Sequence, residues 1–243
     1  MKLVTLNTWG IHEPYLKRIS LIRSELIQLE PDLACLQEVF GPEQENLIKR
    51  GTSFAYSHHV QAAGLVILSK KPFLETCELK YKTVSQMDHN DRRAIFVKIR
   101  FGKERLWIGN THLAWKGADE DVRVGQIKEL ADELRKLGDW LVVTGDFNAG
   151  SGSPSIEKLK QAGFVDLFDT FHAGEKIYTW DNDQNPYLKT HSVIFPNRRI
   201  DLILASRELA VKIKMKSCKL VFTKPDSEGN LPSDHFGVIA EFD

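Results

Sequence analysis

The fold of this chain is indicated first by residues 141–148, which read Leu-Val-Val-Thr-Gly-Asp-Phe-Asn. This stretch begins as an apolar run of strand length and ends in a carboxylate and an amide. Gly, Asp and Asn favour turns for local backbone reasons, so this stretch alone predicts only a strand followed by a turn. It gains importance because five other places in the chain repeat the arrangement.

Those five places are also ends of predicted strands at which polar residues gather. They are Asn7, Gln37-Glu38, Asn110-Thr111-His112, Arg199-Ile200-Asp201 and Ser233-Asp234-His235. If the strands are neighbours in a sheet, these ends converge on one edge. Each end has an ordinary explanation by itself, although Asp201 lies within an apolar strand, where an ionised carboxylate is costly unless it is paired. Because all six ends would have to be incidental at once, we expect them to form one site.

The residue types at these ends predict a site for a hard divalent cation. Carboxylates, amides and imidazoles gather there without cysteine, and such cations prefer oxygen ligands. The sequence has no HxH or HExxH pattern of the kind that indicates zinc. It also lacks a GxSxG serine nucleophile and a GxxxxGK[ST] phosphate loop.

The order of the predicted elements indicates stacked sheets with helices packed outside them. Strands are predicted over residues 2–8, 33–39, 64–69, 94–101, 105–112, 140–146, 200–205, 211–222 and 236–242. Amphipathic helices are predicted over residues 14–30 and 120–137, and a short helix over 154–162. The chain shows no internal repeat or linker, so we expect a single domain over residues 1–243. Two long irregular stretches, 179–198 and 223–233, are candidates for functional loops.

Composition is that of an ordinary globular protein and excludes several classes. The 243 residues are 42% hydrophobic and 27% charged, which excludes disordered and fibrous chains. The net charge is zero, but residues 117–183 hold 14 acidic and 7 basic residues, while residues 186–224 hold 9 basic and 2 acidic ones. Three widely spaced cysteines predict no disulfide framework. With no signal segment or apolar run long enough to span a bilayer, we expect a cytoplasmic protein.

The polar strand ends together resemble the endonuclease/exonuclease/phosphatase superfamily, which has the deoxyribonuclease I-like fold. The matching strings are Leu6-Asn7-Thr8-Trp9, Leu36-Gln37-Glu38-Val39, Asn110-Thr111-His112-Leu113, Gly145-Asp146-Phe147-Asn148, Arg199-Ile200-Asp201 and Ser233-Asp234-His235. They occur in the family's order and span nearly the whole chain. The resemblance implies an α/β fold, a four-layer α/β/β/α sandwich in which helices flank two central mixed β-sheets. It also implies a phosphodiesterase or phosphatase that depends on Mg²⁺ or Mn²⁺.

The resemblance gives the predicted metal ligands and the group that activates water. Glu38 is the first-choice ligand, with Asn7 beside it and Asp234 as a further ligand or its support. Asp146 is expected to orient and deprotonate the attacking water, or to help hold a second metal. Asn148 is expected to position that water and a phosphate oxygen. These roles suit a phosphodiester, because a catalyst must neutralise its anionic oxygens and orient a water in line.

The resemblance also assigns two imidazoles to the phosphate. His235 is expected to donate hydrogen bonds to it, and His112 is the second phosphate-binding imidazole. Asp201 is expected to pair with His235, which would raise the pKa of His235 and keep the imidazole cationic.

Residues that bind the rest of the substrate are predicted among the basic and aromatic side chains near this edge. The basic ones are Arg92, Arg93, Lys116, Arg198 and Arg199. Of these, we expect Arg93 and Arg199 to bind substrate, and Trp180 to stack on a base or an aromatic leaving group. The alternative explanations are that the basic residues are ordinary surface charge and that Trp180 belongs to the core.

Two branches of the family share features with this chain. Leu6-Asn7-Thr8-Trp9-Gly10-Ile11 is similar to the neutral sphingomyelinase branch, whereas Tyr178-Thr179-Trp180-Asp181 and Ser233-Asp234-His235-Phe236-Gly237 are similar to the tyrosyl-DNA phosphodiesterase branch. The loop at 223–230 is polar throughout, which disfavours stable membrane insertion. The basic segment at 186–224 is compatible with a nucleic-acid partner.

We therefore expect a hydrolase acting on a nucleotide, a nucleic-acid end or a small phosphoester. A sphingomyelinase-like phospholipid phosphodiesterase is the alternative substrate class. A catalytically silent binding domain of the same fold is the alternative of another kind, but every matched position keeps its acid, amide or histidine. No feature of the sequence indicates the oligomeric state.

Overall fold

The structure is a computed structural model that describes residues 1–138 and 140–243, and in it two six-stranded mixed sheets stack face to face. The first sheet has the order β11-β12-β1-β2-β4-β3. Its strands are β1 (Lys2–Asn7), β2 (Leu33–Gln37), β3 (Tyr56–Val60), β4 (Leu65–Ser69), β11 (Met215–Val221) and β12 (Gly237–Phe242). The second sheet has the order β5-β6-β7-β8-β10-β9. Its strands are β5 (Glu75–Lys80), β6 (Arg93–Phe101), β7 (Glu104–His112), β8 (Leu141–Asp146), β9 (Phe164–Asp166) and β10 (Asp201–Ser206).

Helices cover the outer face of each sheet. They are α1 (Tyr15–Leu29), α2 (Pro42–Lys49), α3 (Glu120–Leu137), α4 (Pro154–Gln161) and the short α5 (Asp169–His172) and α6 (Arg207–Ala210). Short 3₁₀ turns lie at Gln61–Ala63 and Pro186–Thr190. Within residues 1–138 and 140–243, no helix combines the length and apolar composition that crossing a membrane requires.

Three apolar layers hold the sandwich together. The side chains between the sheets include Leu33, Ile67, Ile108 and Ile203. On one side, Ile22 and Leu26 of α1 pack with α2 onto the first sheet. On the other side, α3 and α4 pack onto the second sheet. The predicted α/β/β/α sandwich of four layers is confirmed.

Strand register explains why distant polar residues meet at one edge. His112 at the end of β7 lies opposite Asp146 at the end of β8. Asp146 in turn lies opposite Asp201 at the start of β10. In the facing sheet, Asn7 at the end of β1 lies opposite Gln37 at the end of β2. Because β1 packs over β8 and β10, the two rows face each other at the same end of the sandwich.

The structure corrects the sequence-based elements where local polarity hides a strand. The predictions omit β3, β5 and β9 as well as helix α2. Strands β3 and β5 lie at edges of their sheets, where half-exposed residues weaken the apolar alternation. Residues 211–222 are predicted as one strand, but β11 begins only at Met215 because α6 and a turn occupy the preceding residues.

Candidate active site

A pocket of about 200 Å³ opens at the edge where these strand ends meet. The predicted site residues that line it are Asn7, Glu38, His112, Asp146, Asn148, Asp234 and His235. Asp201 is fully buried and lies behind His235. The structure thus brings together every predicted metal ligand and every predicted catalytic residue.

Asp146 stands at the centre of this pocket, with both carboxylate oxygens held. Its Oδ1 accepts a hydrogen bond from the backbone N–H of Asn148 at 2.9 Å. Its Oδ2 accepts one from the Asn7 amide at 2.9 Å and lies 3.3 Å from Nε2 of His112 and 3.8 Å from Nε2 of His235. Burial alone would raise the pKa of Asp146, but these imidazoles, the amide and the N–H hold it below its ordinary value. The carboxylate is therefore ionised and fixed in direction.

His235 forms a buried ion pair with Asp201. Its Nδ1 donates to Oδ2 of Asp201 at 2.9 Å, which leaves Nε2 directed at the pocket. Burial opposes protonation, but Asp201, Asp234 and Asp146 together raise the pKa of His235 to about 10. The second oxygen of Asp201 is buried and has no hydrogen-bond partner among the described residues. His235 is thus a cation with one N–H available for a ligand.

His112 faces the same carboxylate in the opposite charge state. Burial and the nearby Arg92 guanidinium lower the pKa of His112 to about 3, although Asp146 opposes the shift. The ring is buried in the pocket wall, where a neutral imidazole is far cheaper to place than a cation. At neutral pH, His112 is therefore an uncharged hydrogen-bonding group.

The Glu38 carboxylate lies across the pocket, tied to Asp146 by a shared amide. Nδ2 of Asn7 lies 3.1 Å from Oε1 of Glu38 and 2.9 Å from Oδ2 of Asp146. Oδ1 of Asn7 accepts from the backbone N–H of Trp9 at 3.0 Å. Asn7 is predicted as a metal ligand, yet it turns its amide nitrogen, and not its oxygen, towards the two carboxylates.

Asp234 has a partner that the sequence does not indicate. Its Oδ2 lies 3.1 Å from Nε2 of His191, and its Oδ1 accepts from the Ser233 hydroxyl at 3.2 Å. His191 belongs to the loop after the 3₁₀ turn at Pro186–Thr190, where no periodic pattern marks it.

Backbone conformation at the strand ends aims these side chains into the pocket. Trp9, Glu38 and Asn148 have φ angles of 56°, 61° and 51°, in the left-handed region that residues other than glycine seldom adopt. Glu38 directly follows β2, and Trp9 and Asn148 each lie two residues beyond the ends of β1 and β8. Strained residues of this kind tend to cluster at functional sites.

The donor set fits a divalent cation. Glu38, Asp146 and Asp234 converge on one pocket, and burial with the neighbouring Asp234 and Asp146 raises the pKa of Glu38 to about 7. Oxygens of Asp146 and Asp201 and a nitrogen of His235 also lie within 4.8 Å of one another. Because His235 is protonated and bound to Asp201, the carboxylates on the Glu38 side suit a cation better. A cation there would relieve their mutual repulsion.

The structure places one of the three predicted substrate-binding residues at the pocket and the other two away from it. Trp180 lines the pocket, with its ring centroid 5.1 Å from that of His235. Arg93 and Arg199 do not line it. Arg93 is bound by Asp91 and Glu78, and Arg199 by Asp166 and Asp169. Their sequence neighbours Arg92 and Arg198 line the pocket instead, because adjacent residues of extended chain point to opposite sides.

A buried arginine organises the loop beside the pocket and was not predicted. Arg18 of α1 is fully buried and donates hydrogen bonds to the backbone carbonyls of Thr8, Trp9, Gly10, His12 and Pro232. It therefore joins the turn after β1 to the segment that carries Asp234 and His235. Its only sequence signal was a charged residue on the apolar face of a helix.

Comparison with known proteins identifies the family of this chain. The model of the Endonuclease/Exonuclease/phosphatase family matches residues 4–235. A Drosophila melanogaster protein named "Putative neutral sphingomyelinase" is 39% identical over 277 residues, covering 99% of this chain and 60% of that protein. The chain spans 36% to 66% of the length of five curated relatives that it matches.

Solved structures with the same fold come from proteins of different names. That of D. rerio TDP2 complexed with single strand DNA product has a TM-score of 0.83 and 21% identity, covering 100% of this chain and 98% of that chain. That of beta toxin from Staphylococcus aureus with bound magnesium ions has a TM-score of 0.76 and 20% identity, covering 98% of each chain. At these identities the likeness shows the fold alone.

Proposed function

This chain belongs to the Endonuclease/Exonuclease/phosphatase family, and we propose that it is a divalent-metal-dependent phosphodiesterase. One observation carries the proposal. A single buried carboxylate, Asp146, has one oxygen fixed by a backbone N–H and the other facing an amide, a neutral imidazole and a cationic imidazole. This arrangement provides a base for a water molecule and hydrogen-bond donors for the phosphate within one pocket.

Asp146 orients a water molecule and takes its proton during in-line attack on phosphorus. The Asn148 N–H keeps the carboxylate aimed while that proton moves. His235, held cationic by Asp201, donates from Nε2 to a phosphoryl oxygen as negative charge develops there. His112 donates a second, uncharged hydrogen bond.

Glu38 and Asp234 would hold the cation, with Asn7 keeping Glu38 and Asp146 apart. A bound Mg²⁺ or Mn²⁺ supplies positive charge that neutralises the phosphate oxygens and stabilises the leaving oxygen. The raised pKa of Glu38, about 7, supports this placement because a nearby cation would favour the ionised carboxylate.

The substrate is proposed to be a nucleotide, a nucleic-acid end or another small phosphoester. The basic segment at 186–224, which includes Arg198 of the pocket wall, supports a nucleic acid. A phospholipid phosphodiesterase is the second candidate, favoured by the Drosophila relative at 39% identity. Val193 and Ile194, which are exposed beside the pocket, are consistent with contact to a lipid surface.

Hydrolysis of bis(p-nitrophenyl) phosphate by the purified chain tests the reaction. We expect release of nitrophenol with Mg²⁺ or Mn²⁺ and none with a chelator. Glu38→Gln should raise the metal concentration needed for half-maximal rate by about 10-fold or more, because one anionic ligand is lost. Glu104→Gln is the matched control, since Glu104 is exposed at the far end of β7.

Unchanged activity in the chelator would contradict metal dependence, and no activity with either metal would contradict the proposed reaction. Sphingomyelin vesicles and single-stranded oligonucleotides, supplied in parallel, separate the two substrate candidates.

A further inference from the structure

The arginines around the active-site pocket differ in whether a carboxylate neutralises them. Arg92 is bound by Asp88 at 2.8 Å, and Arg199 by Asp166 at 2.8 Å and by Asp169. Arg198 also lines the pocket, yet none of the carboxylates that the structure describes forms an ion pair with it. Its Nε is buried without a hydrogen-bond partner in the same described residues. A buried guanidinium N–H left unpaired is costly, so this side chain lacks an acceptor.

Arg198 is nevertheless held firmly in place. Its backbone N–H and C=O exchange hydrogen bonds of 3.0 and 2.9 Å with Trp180 in an isolated antiparallel bridge. Its guanidinium carbon lies 4.2 Å from the ring centre of Phe195 and 5.7 Å from that of Trp180. The Asn182 side chain fixes the Phe195 carbonyl by a hydrogen bond of 2.9 Å. Stacking occupies a face of the guanidinium and leaves its N–H edge for planar recognition of an anion.

A second cavity begins on the far side of Arg198. It has a volume of about 530 Å³ and shares Arg198 with the active-site pocket. Lys176 also lines it and is exposed, whereas Arg199 and His172 in its wall are already engaged by Asp166 and by the Cys218 carbonyl. Two carboxylates line the cavity as well, Asp169, which is bound by Arg199, and Glu175, which lies 3.3 Å from Nδ1 of His172. Arg198 and Lys176 are therefore the basic groups of this wall that no described carboxylate pairs.

We infer that Arg198 is a specificity residue that binds a second phosphate of the substrate. This phosphate lies beyond the one that is cleaved and leads the substrate into the second cavity. The inference rests on the proposed phosphodiesterase function and deepens it, because it names a substrate with at least two phosphates. A nucleic-acid strand and a small diphosphate both supply that chemistry.

The aromatic residues at the pocket do not favour a quaternary ammonium headgroup instead. Such cations bind over open aromatic faces. Here the Lys116 ammonium lies 3.8 Å from the ring centre of Trp115, and Arg198 covers Phe195. A choline group would meet two positive charges at these rings, whereas a phosphate would meet two donors.

Three nitrophenyl substrates with the same leaving group test the inference. They are the p-nitrophenyl ester of thymidine 5′-phosphate, the same ester with a 3′-phosphate, and the p-nitrophenyl ester of thymidine 5′-diphosphate. For the wild-type chain we expect an added phosphate to raise kcat/KM by about 10-fold or more, the scale of one charge-assisted contact. A gain with the 3′-phosphate indicates that the substrate is a nucleic-acid strand, and a gain with the diphosphate alone indicates that it is a small diphosphate.

Variants then attribute this gain to Arg198. Arg198→Met should lower the gain in kcat/KM that the added phosphate gives by about 10-fold. Arg198→Lys should keep part of that gain, since lysine retains the charge but not the planar fork. Arg100→Met is the control, because Arg100 is exposed near the opposite end of β6 from Arg93. In the wild type, the gain in kcat/KM from the added phosphate should also fall with added salt.

Two results would overturn the inference. One is equal kcat/KM for all three substrates in the wild type. The other is an equal loss on every substrate in Arg198→Met, which would place the guanidinium on the cleaved phosphate. If the wild type hydrolyses bis(p-nitrophenyl) phosphate but shows no phosphate preference, only this inference fails. If it hydrolyses neither type of ester, the proposed function fails with it.

Discussion

The two imidazoles beside Asp146 share one carboxylate oxygen but not one charge. Both are buried, and their Nε2 atoms lie 3.3 and 3.8 Å from Oδ2 of Asp146. The pKa of His235 rises to about 10, whereas that of His112 falls to about 3. Burial acts in the same direction on both, so the difference comes from the neighbours behind each ring. Asp201 and Asp234 stand near His235, and Arg92 stands near His112.

The comparison shows how one pocket combines two kinds of donor. The His235 side carries a fixed positive charge that faces the phosphate. The His112 side offers a hydrogen bond without adding charge to a pocket that also has to accommodate a cation.

Replacement of the carboxylate that both imidazoles face should have the largest effect. Asp146→Asn removes the base and the negative charge while keeping the shape, and it should lower kcat by about 10³-fold or more. Steady-state hydrolysis of bis(p-nitrophenyl) phosphate measures this. A loss of less than 10-fold would show that Asp146 is not the base.

Replacement of each imidazole by a neutral amide should separate the two sides. His235→Gln removes a charged donor and should lower kcat by about 10²-fold, whereas His112→Gln exchanges one neutral group for another and should cost about 10-fold or less. The same assay compares them. Equal losses, or a larger loss in His112→Gln, would contradict the different charge states of the two rings.

The two histidines should also affect folding stability in opposite pH ranges. The folded chain holds the His235 proton up to pH about 10 and the unfolded chain only to about 6.5, so this stabilisation is lost as pH rises between those values. His112 resists protonation down to pH about 3, so its contribution is lost as pH falls below about 6.5. Urea unfolding at several pH values gives the free energy of unfolding at each pH. Its fall with rising pH should be less steep in His235→Gln, and its fall with decreasing pH should be less steep in His112→Gln. Unchanged slopes in both variants would contradict the assignment.

The sequence predicted the meeting of these residues because strand register is set by pattern. His112, Asp146 and Asp201 end or begin apolar strands, and the two adjacent pairings place them in one row. The ends of helices α1 and α3 were predicted to within one residue because the apolar spacing of these helices is regular.

Other parts of the site had no local signal. The sequence did not distinguish Arg198 from Arg199, because they lie in irregular chain next to β10, where no alternation shows which one faces the pocket. His191 and its contact with Asp234 depend on the path of a long loop. Arg18 is buried only because five carbonyls from two distant segments surround it, and no single segment encodes that.

The opposite charge states of His112 and His235 can be measured most directly in one NMR titration. Imidazole nitrogen shifts of the metal-free chain, assigned with His112→Gln and His235→Gln, report each ring separately. We expect a pKa of about 10 for His235 and of about 3 for His112. Titration of both rings near pH 6.5, or protonation of His112 before His235, would contradict this expectation.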